Sequence, residues 1–165
     1  MKIYLCGPIE KESDGGRGIR DRIKKVFSNY EDIEFIDPCE FEYNEEFKNV
    51  KEIKKNNPKT WKSIVNKMIK GDLNGVKNSD VVLTIFNGNA SIGTKSEMVF
   101  AAYSDTPVVI YLEDSTKEED LHPWIQTAAW YISNEIEEIE KRIAAFCLAF
   151  IKKQLNEEKN VKKIT

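Results

Sequence analysis

The run from Val81 to Phe86 constrains the fold most, because five of its six residues are apolar. A strand with apolar side chains on both faces needs cover on both faces, as strands of parallel sheets have. The preceding segment, residues 59–77, has apolar residues three and four apart, which predicts a helix. A second helix is predicted over 94–103. The sequence therefore predicts helices packed around a buried strand.

Strand and helix patterns alternate along the rest of the chain. Further strands are predicted at residues 2–6, 33–36 and 107–112. Further helices are predicted at residues 17–30 and 134–156. Residues 39–58 are rich in Glu, Lys and Asn, so this segment is predicted to be a loop with at most a helical turn. The alternation predicts an α/β fold, a doubly wound parallel sheet with a long C-terminal helix.

Size and composition suit one domain. The chain has 165 residues and 41% apolar residues, enough for one core without metals. We expect this domain to span residues 1–156 and to be followed by a charged, frayed tail at 157–165. The three cysteines are widely spaced and odd in number, which fits free, reduced thiols.

Charge and hydropathy limit the partners. With 25 basic and 28 acidic residues and a net charge of -3, the chain lacks the basic stripe that long nucleic acids need. No apolar run approaches the length of a membrane span, and the apolar start is too short for a signal sequence. We expect a cytoplasmic protein without a membrane partner.

The carboxyl ends of the strands are where ligands bind in such sheets. Three loops are predicted to meet there, namely residues 7–20, residues 87–97 and the loop after Leu112. Glu97 follows Gly93-Thr94 and is predicted to lie in the first turn of a helix, where free N–H groups favour a charged carboxylate. Such a carboxylate can act as a nucleophile. The alternative is a capping box, in which Glu97 only closes the helix end.

Other polar residues near these loops have both a functional and a structural interpretation. Asp72 lies near a predicted helix C-terminus, where the dipole disfavours anions, so it is either functional or a solvated charge. Asp80 is assigned a structural role. The loop around Gly16, Arg17 and Arg20 is a candidate anion cradle, although it is not a Walker sequence. Tyr4 is a strand aromatic unless its hydroxyl faces Glu97.

Other chemistries receive little support. His122 is the sole histidine, and no serine stands in a Gly-x-Ser-x-Gly elbow. No metal-ligand cluster stands out, and we expect no cofactor and no metal.

Three ordered motifs resemble those of nucleoside 2-deoxyribosyltransferases and the related 2'-deoxynucleoside 5'-monophosphate N-glycosidases. The motifs are Lys2-Ile3-Tyr4-Leu5-Cys6-Gly7-Pro8, Asp72-Leu73-Asn74-Gly75-Val76-Lys77-Asn78-Ser79-Asp80 and Gly93-Thr94-Lys95-Ser96-Glu97. The resemblance covers residues 1 to about 112. It implies a flavodoxin-like fold, cleavage of an N-glycosidic bond, a nucleoside or nucleotide and a free base as partners, and a homo-oligomer.

The resemblance also implies roles for single residues. Glu97 matches the nucleophile that forms a glycosyl ester, Asp72 the acid that protonates the leaving base, and Tyr4 the tyrosine that holds the nucleophile. The residues expected to bind substrate are Gly7, Pro8, Gly16, Arg17, Asn89, Ser91 and Gly93.

Departures from the family motifs leave the substrate open. The loop Asn87-Gly88-Asn89-Ala90-Ser91 has no acidic residue, whereas transferases tend to carry one there. Ser91 and the Gly15-Gly16-Arg17 run look more like the monophosphate hydrolases. The segment starting at Asp72 looks closer to the transferases. We favour transfer of deoxyribose to another base, with nucleotide hydrolysis as the alternative and a non-catalytic nucleotide-binding module as the alternative of another class.

Overall fold

The structure, a computed structural model, describes residues 1–9, 14–41, 50–88, 90–113 and 116–161. The strands are β1 (Lys2–Cys6), β2 (Glu34–Ile36), β3 (Val81–Phe86), β4 (Val108–Leu112) and β5 (Ala129–Ser133). The helices are α1 (Arg17–Val26), α2 (Val50–Asn56), α3 (Pro58–Lys77), α4 (Ile92–Tyr103), α5 (Pro123–Ala128) and α6 (Ile136–Val161). Short 3-10 turns span Pro38–Glu40 and Glu118–Asp120.

The five described strands form one parallel sheet in the order β2-β1-β3-β4-β5. This is the flavodoxin-like order, and the prediction of a doubly wound α/β fold is confirmed. The crossovers diverge between β1 and β3, so a crevice opens where these two strands end. The predicted positions of β1, β3 and α3 agree with the structure to within one residue.

Two apolar layers cover the sheet because neighbouring side chains on a strand point to opposite faces. On β1, Tyr4 and Cys6 face the layer that contains Val76 and Met98, whereas Ile3 and Leu5 face the other layer. The first layer lies under α3, α4 and α5, and the second lies under α1 and α6. All six residues of β3 are buried, as its apolar sequence predicts.

Some elements differ from the predictions. Strand β5 was not predicted; it pairs with β4 through a register shift between Val108 and Val109. Helix α1 ends four residues earlier than expected, at Val26. Helix α2 lies within the predicted loop 39–58, where one helical turn was allowed, and residues 42–49 lie outside the described part. Helix α6 is described to Val161, so the boundary at 156 stays a prediction.

Two further features bear on earlier expectations. The carboxylate of Asp80 accepts the backbone N–H of Lys2 at 2.7 Å, which confirms its structural role. None of the helices in the described ranges has an apolar stretch long enough to cross a membrane.

Candidate active site

Glu97 lies in the second turn of α4, at the carboxyl edge of β3. The helix begins at Ile92, and the Ser91 hydroxyl caps it by accepting the N–H of Thr94 at 3.1 Å. The prediction that Glu97 lies in the first turn is therefore wrong, and the alternative, a capping box formed by Glu97, is ruled out as well. Its side chain points into the protein, and the residue is only 9% exposed.

Two residues of β1 hold this carboxylate. The Cys6 thiol donates a hydrogen bond to Oε2 of Glu97 at 2.9 Å. Tyr4 also acts to lower the pKa of Glu97, so its buried hydroxyl lies near this carboxylate. Tyr4 and Cys6 are two residues apart, so they point to the same face of the sheet, towards α4. Tyr4 and Glu97 are thus near each other, and the role of Tyr4 in holding the nucleophile stays a prediction.

The protonation of Glu97 is balanced by its surroundings. Its pKa is raised from 4.5 to about 7; burial is the main cause, and the charge of Asp72 acts in the same direction. The hydrogen bonds from Cys6 and Tyr4 and the charge of Arg20 act in the opposite direction. The sequence suggested that the helix N-terminus sets the charge of Glu97. Burial and these neighbouring groups set it instead. A carboxyl group with a pKa near neutrality can exist in either form in the working range of most enzymes.

Helix α3 brings Asp72 to the same site. Asp72 is half-buried and close enough to Glu97 to affect its pKa. One turn further along α3, Gly75 packs against the ring of Tyr4, where a Cβ would lie 2.6 Å from Cε2. Because any larger residue would collide with Tyr4, Gly75 permits the close approach of α3 that brings Asp72 near Glu97.

A buried arginine organises the loop after β1. Arg20 is 1% exposed, and its guanidinium donates to the carbonyls of Gly7 at 3.1 Å, Gly16 at 3.0 Å and Pro8 at 3.3 Å. Its Nε lies 3.3 Å from Oδ1 of buried Asp37. The expectation that Arg20 faces a bound anion is therefore wrong: this side chain fixes Gly7, Pro8 and Gly16 from inside.

The N-terminus of α1 carries an internal anion. Asp14 accepts the N–H of Gly16 at 2.8 Å and the N–H of Gly18 at 2.7 Å, and these bonds lower the pKa of its carboxyl group. Gly16 itself has φ of 71°, a conformation that glycine adopts without strain. The N–H of Gly16, one of the residues predicted to bind a phosphate, is thus occupied by the chain's own carboxylate.

The remaining predicted binding residues differ in their exposure. Arg17 and Gly93 are exposed, and Ser91 is half-buried at the start of α4. Asn89 lies outside the described residues. The loops after β3 and β4 approach each other near Gly88 and Thr116. The roles of Gly7, Pro8, Gly16, Arg17, Ser91 and Gly93 in substrate binding stay predictions. Across the described ranges, no group of three or more His, Cys, Asp or Glu side chains could hold a metal.

Two features of the site escaped sequence reasoning, although signals for them exist. Cys6 follows Tyr4 by two residues, so strand alternation already places it on the same face. Arg20 shares a helix face with Ile23 and Phe27 at intervals of three and four, which predicts burial. Its partner Asp37 directly follows β2, at the same edge of the sheet as the end of β1.

Solved structures of other proteins have a fold similar to that of this chain. The structure of Clostridium botulinum CMP N-glycosidase, BcmB, matches with 13% identity over 88% of this chain and 99% of that one, at a TM-score of 0.53. A conserved protein from Enterococcus faecalis V583 matches with 16% identity over 88% of this chain and 98% of that one, at a TM-score of 0.59. Both likenesses span nearly the whole neighbour.

A 2-desoxiribosyltransferase from Leishmania mexicana matches less well, with 16% identity, 68% of this chain, 65% of that chain and a TM-score of 0.45. No protein-family model and no curated protein sequence matches this chain. At such low identities the first two likenesses establish a shared fold, which is the fold that the motif resemblance implied.

Proposed function

We propose that this protein cleaves the N-glycosidic bond of a 2'-deoxynucleoside and transfers the deoxyribosyl group to another base. The observation that supports this most is the buried carboxylate of Glu97, which accepts a hydrogen bond from Cys6 and lies close to Tyr4 and to the second carboxylate of Asp72. Two acidic groups with different environments are the usual equipment of retaining glycosyl transfer.

Each step of the proposed reaction has a residue. An ionised oxygen of Glu97 forms a bond to the anomeric carbon while the bond from that carbon to the base nitrogen breaks. The electron pair stays with the base, which takes a proton from the acid Asp72. The product of this half-reaction is a free base and a deoxyribosyl ester on Glu97.

The second half-reaction restores the enzyme. A nitrogen of another base attacks the anomeric carbon, the ester C–O bond breaks, and its electrons return to the Glu97 carboxylate. Asp72 takes up the proton that the incoming base releases. If water attacks instead, the products are deoxyribose and the regenerated Glu97 carboxylate, and Asp72 takes up the proton that water releases, so transfer and hydrolysis share the first half-reaction.

The substrate assignment is supported by Asp14. A 5'-phosphate bound at the start of α1 would face a carboxylate that already holds the N–H groups of Gly16 and Gly18. The charge of the Asp14 carboxylate would repel the phosphate, and the guanidinium of Arg20 is turned inward and does not offset this repulsion. These contacts favour a nucleoside over its monophosphate. The second candidate, a monophosphate N-glycosidase, is supported by exposed Arg17 at the same helix end and by the CMP N-glycosidase among the structures of similar fold.

A homo-oligomer is part of the proposal. Ile92, Val99 and Tyr103 of α4 are exposed apolar residues spaced by seven and four, so they share one helix face. Light scattering of the protein as it elutes from a size-exclusion column measures the oligomeric state. A monomer at all protein concentrations contradicts the proposed homo-oligomer.

The testing experiment is a chromatographic assay on 2'-deoxynucleosides and their 5'-monophosphates, with and without a second free base. A new nucleoside that forms only with the added base supports transfer. Base release confined to monophosphates supports the hydrolase instead. Thermal stabilisation by these ligands without any turnover supports a non-catalytic binding module.

Two variants make the assay specific for the site. Glu97→Ala removes the proposed nucleophile and should abolish turnover. Glu137→Ala removes an exposed glutamate of α6, on the opposite layer, and should leave turnover unchanged. Mass spectrometry of enzyme quenched with substrate should find one deoxyribosyl group on the peptide that contains Glu97. Full activity of Glu97→Ala contradicts the proposal.

A further inference from the structure

The buried thiol of Cys6 has an unusual neighbour. Its Sγ lies 2.9 Å from Oε2 of Glu97, which is within hydrogen-bond distance, and 3.5 Å from the carbonyl oxygen of Thr94. Cys6 is the last residue of β1 and has no exposed surface. Free cysteines are common in cores, where they act as small apolar groups. Here the thiol instead contacts a carboxylate that is itself almost completely buried.

We propose that Cys6 is a positioning residue, whose S–H group donates to Oε2 of Glu97, fixes the orientation of the side chain and favours its charged form. The role of this contact in glycosyl transfer rests on the proposed function. The contact and its effect on the carboxylate do not, so they can be tested separately.

The direction of the hydrogen bond follows from the surroundings of the thiol. Burial and the neighbouring Glu97 charge raise the pKa of Cys6 well above its usual value, so the sulfur keeps its proton. A carboxylate is an acceptor only, and a thiol is a weak donor. The proton therefore lies on sulfur, and Oε2 of Glu97 at 2.9 Å is a nearer and charged acceptor, whereas the Thr94 carbonyl oxygen lies at 3.5 Å. Since a hydrogen bond to a charged acceptor is stronger than one to a neutral acceptor, the contact stabilises ionised Glu97.

Besides burial, four residues from three elements affect the charge of Glu97. Cys6 and Tyr4 come from β1, Asp72 comes from α3, and Arg20 comes from α1. Asp72 disfavours the anion, and the other three favour it. Replacing Cys6 by alanine removes one favourable contact and leaves the others in place. The carboxyl group of Glu97 should then hold its proton to a higher pH.

The first test is an NMR titration of protein labelled with ¹³C at the glutamate carboxyl groups. Glu97→Gln identifies the Glu97 signal by its loss. In Cys6→Ala the titration midpoint should rise by roughly half to one pH unit, the size expected for a weak donor to a charged acceptor. Cys6→Ser keeps a donor, so its midpoint should shift by less than half as much. An unchanged midpoint in Cys6→Ala overturns the proposal.

Cys147→Ala is the matched control, because Cys147 is also a buried free cysteine but belongs to α6. Its Glu97 midpoint should equal that of the unmodified protein. An equal rise in Cys147→Ala overturns the proposal, since the effect would then reflect general loosening of the core.

A second measurement needs no folded Cys6→Ala protein. Raman spectra of the unmodified protein should contain an S–H stretching band that is absent from Cys6→Ser. This band should move as the pH passes through the midpoint of Glu97, because the acceptor loses its charge, and it should stay fixed in Glu97→Gln. A band that does not respond to pH overturns the hydrogen bond.

Kinetics then connect the contact to catalysis. If the protein turns over nucleosides, the acid limb of kcat/KM should move upward in Cys6→Ala by the same amount as the NMR midpoint. A lower kcat with an unmoved acid limb is the signature of a merely structural role and overturns the positioning role. If no nucleoside is turned over, the NMR and Raman results still decide the contact, and only the proposed function fails.

Discussion

Replacement of Gly75 by alanine tests the packing that joins α3 to the active site. The added Cβ would lie 2.6 Å from Cε2 and 2.9 Å from Cδ2 of Tyr4. Carbon atoms in contact are separated by about 3.5 Å or more, so the helix or the ring must move by roughly 1 Å. Tyr4 is completely buried, and β1 is paired on both sides by β2 and β3, so the ring has little room to retreat.

The magnitude combines two opposing effects. Overpacking of a core costs about 1–3 kcal/mol, whereas alanine is favoured over glycine inside a helix by about 1 kcal/mol. We therefore expect a loss in the free energy of unfolding of roughly 0–2 kcal/mol. Activity should suffer more. A displacement of about 1 Å can lower a rate about 100-fold, so kcat/KM should fall roughly 10- to 100-fold as Tyr4 and Asp72 move relative to Glu97.

The assay pairs urea denaturation with steady-state kinetics. Asn74→Ala is the matched control, because Asn74 is an exposed neighbour on the same helix and gains helix propensity without filling the contact. In a Tyr4→Leu background, Gly75→Ala should lose most of its penalty, which a double-mutant cycle detects as coupling. If Gly75→Ala is as stable and as active as Asn74→Ala, the reasoning about this contact is refuted.

Four further predictions concern charged groups. The pKa of Glu97 is raised to about 7 from 4.5, so its protonated form is favoured by folding: the stability it contributes is full below pH 4.5 and is lost as the pH rises through about 7. Glu97→Gln should therefore be more stable than the unmodified protein at pH 8, by up to about 3 kcal/mol, with a smaller difference at pH 5 in chemical denaturation; equal stability at both pH values contradicts the raised pKa. The unmodified enzyme should also lose kcat/KM about tenfold per pH unit below pH 7, because only ionised Glu97 attacks. Arg20→Ala leaves Asp37 buried with Lys24 as its remaining ion-pair partner and should lower the free energy of unfolding by about 3 kcal/mol. The control Lys141→Ala breaks an exposed ion pair with Glu138 and should change the free energy of unfolding by less than about 0.5 kcal/mol. If the two variants have the same denaturation midpoint, the structural role given to Arg20 is refuted. Asp14→Ala frees the N–H groups of Gly16 and Gly18 and should raise the ratio of activity on 5'-monophosphates to activity on nucleosides; an unchanged ratio contradicts the role given to Asp14 in substrate choice.

Most of the fold could be predicted from the sequence because the spacing of apolar residues that marks a strand or a helix is a local pattern. The apolar run Val81–Phe86 and the spacing of apolar residues in 59–77 each depend on a few neighbouring residues, and both elements appear as predicted. Strand β5 was missed because it follows α5 directly, without a glycine or proline to mark the change. Its strand conformation depends on pairing with β4, a contact that no local pattern encodes.

The boundaries of helices were less predictable than their existence. Ser91 competes with Thr94 for the cap of α4, and only the backbone geometry shows that Ser91 accepts the N–H of Thr94. The helix therefore begins at Ile92 and not, as predicted, at residue 94. This shift of two residues moves Glu97 from the first turn into the second. A shift of that size changes which groups surround a side chain, since residues on a helix advance by about 100° each.

The sequence by itself determined which acidic groups the chain offers, and on which elements: Glu97 after β3 and Asp72 on the helix before it. Only the tertiary structure decided their chemistry, because the pKa of Glu97 depends on burial and on contacts with distant residues such as Cys6, which is 91 positions away in the chain. The same holds for Arg20, whose guanidinium binds the loop carbonyls and Asp37. Side-chain type is written in the sequence, but dielectric surroundings and hydrogen-bond partners exist only once distant segments have packed together.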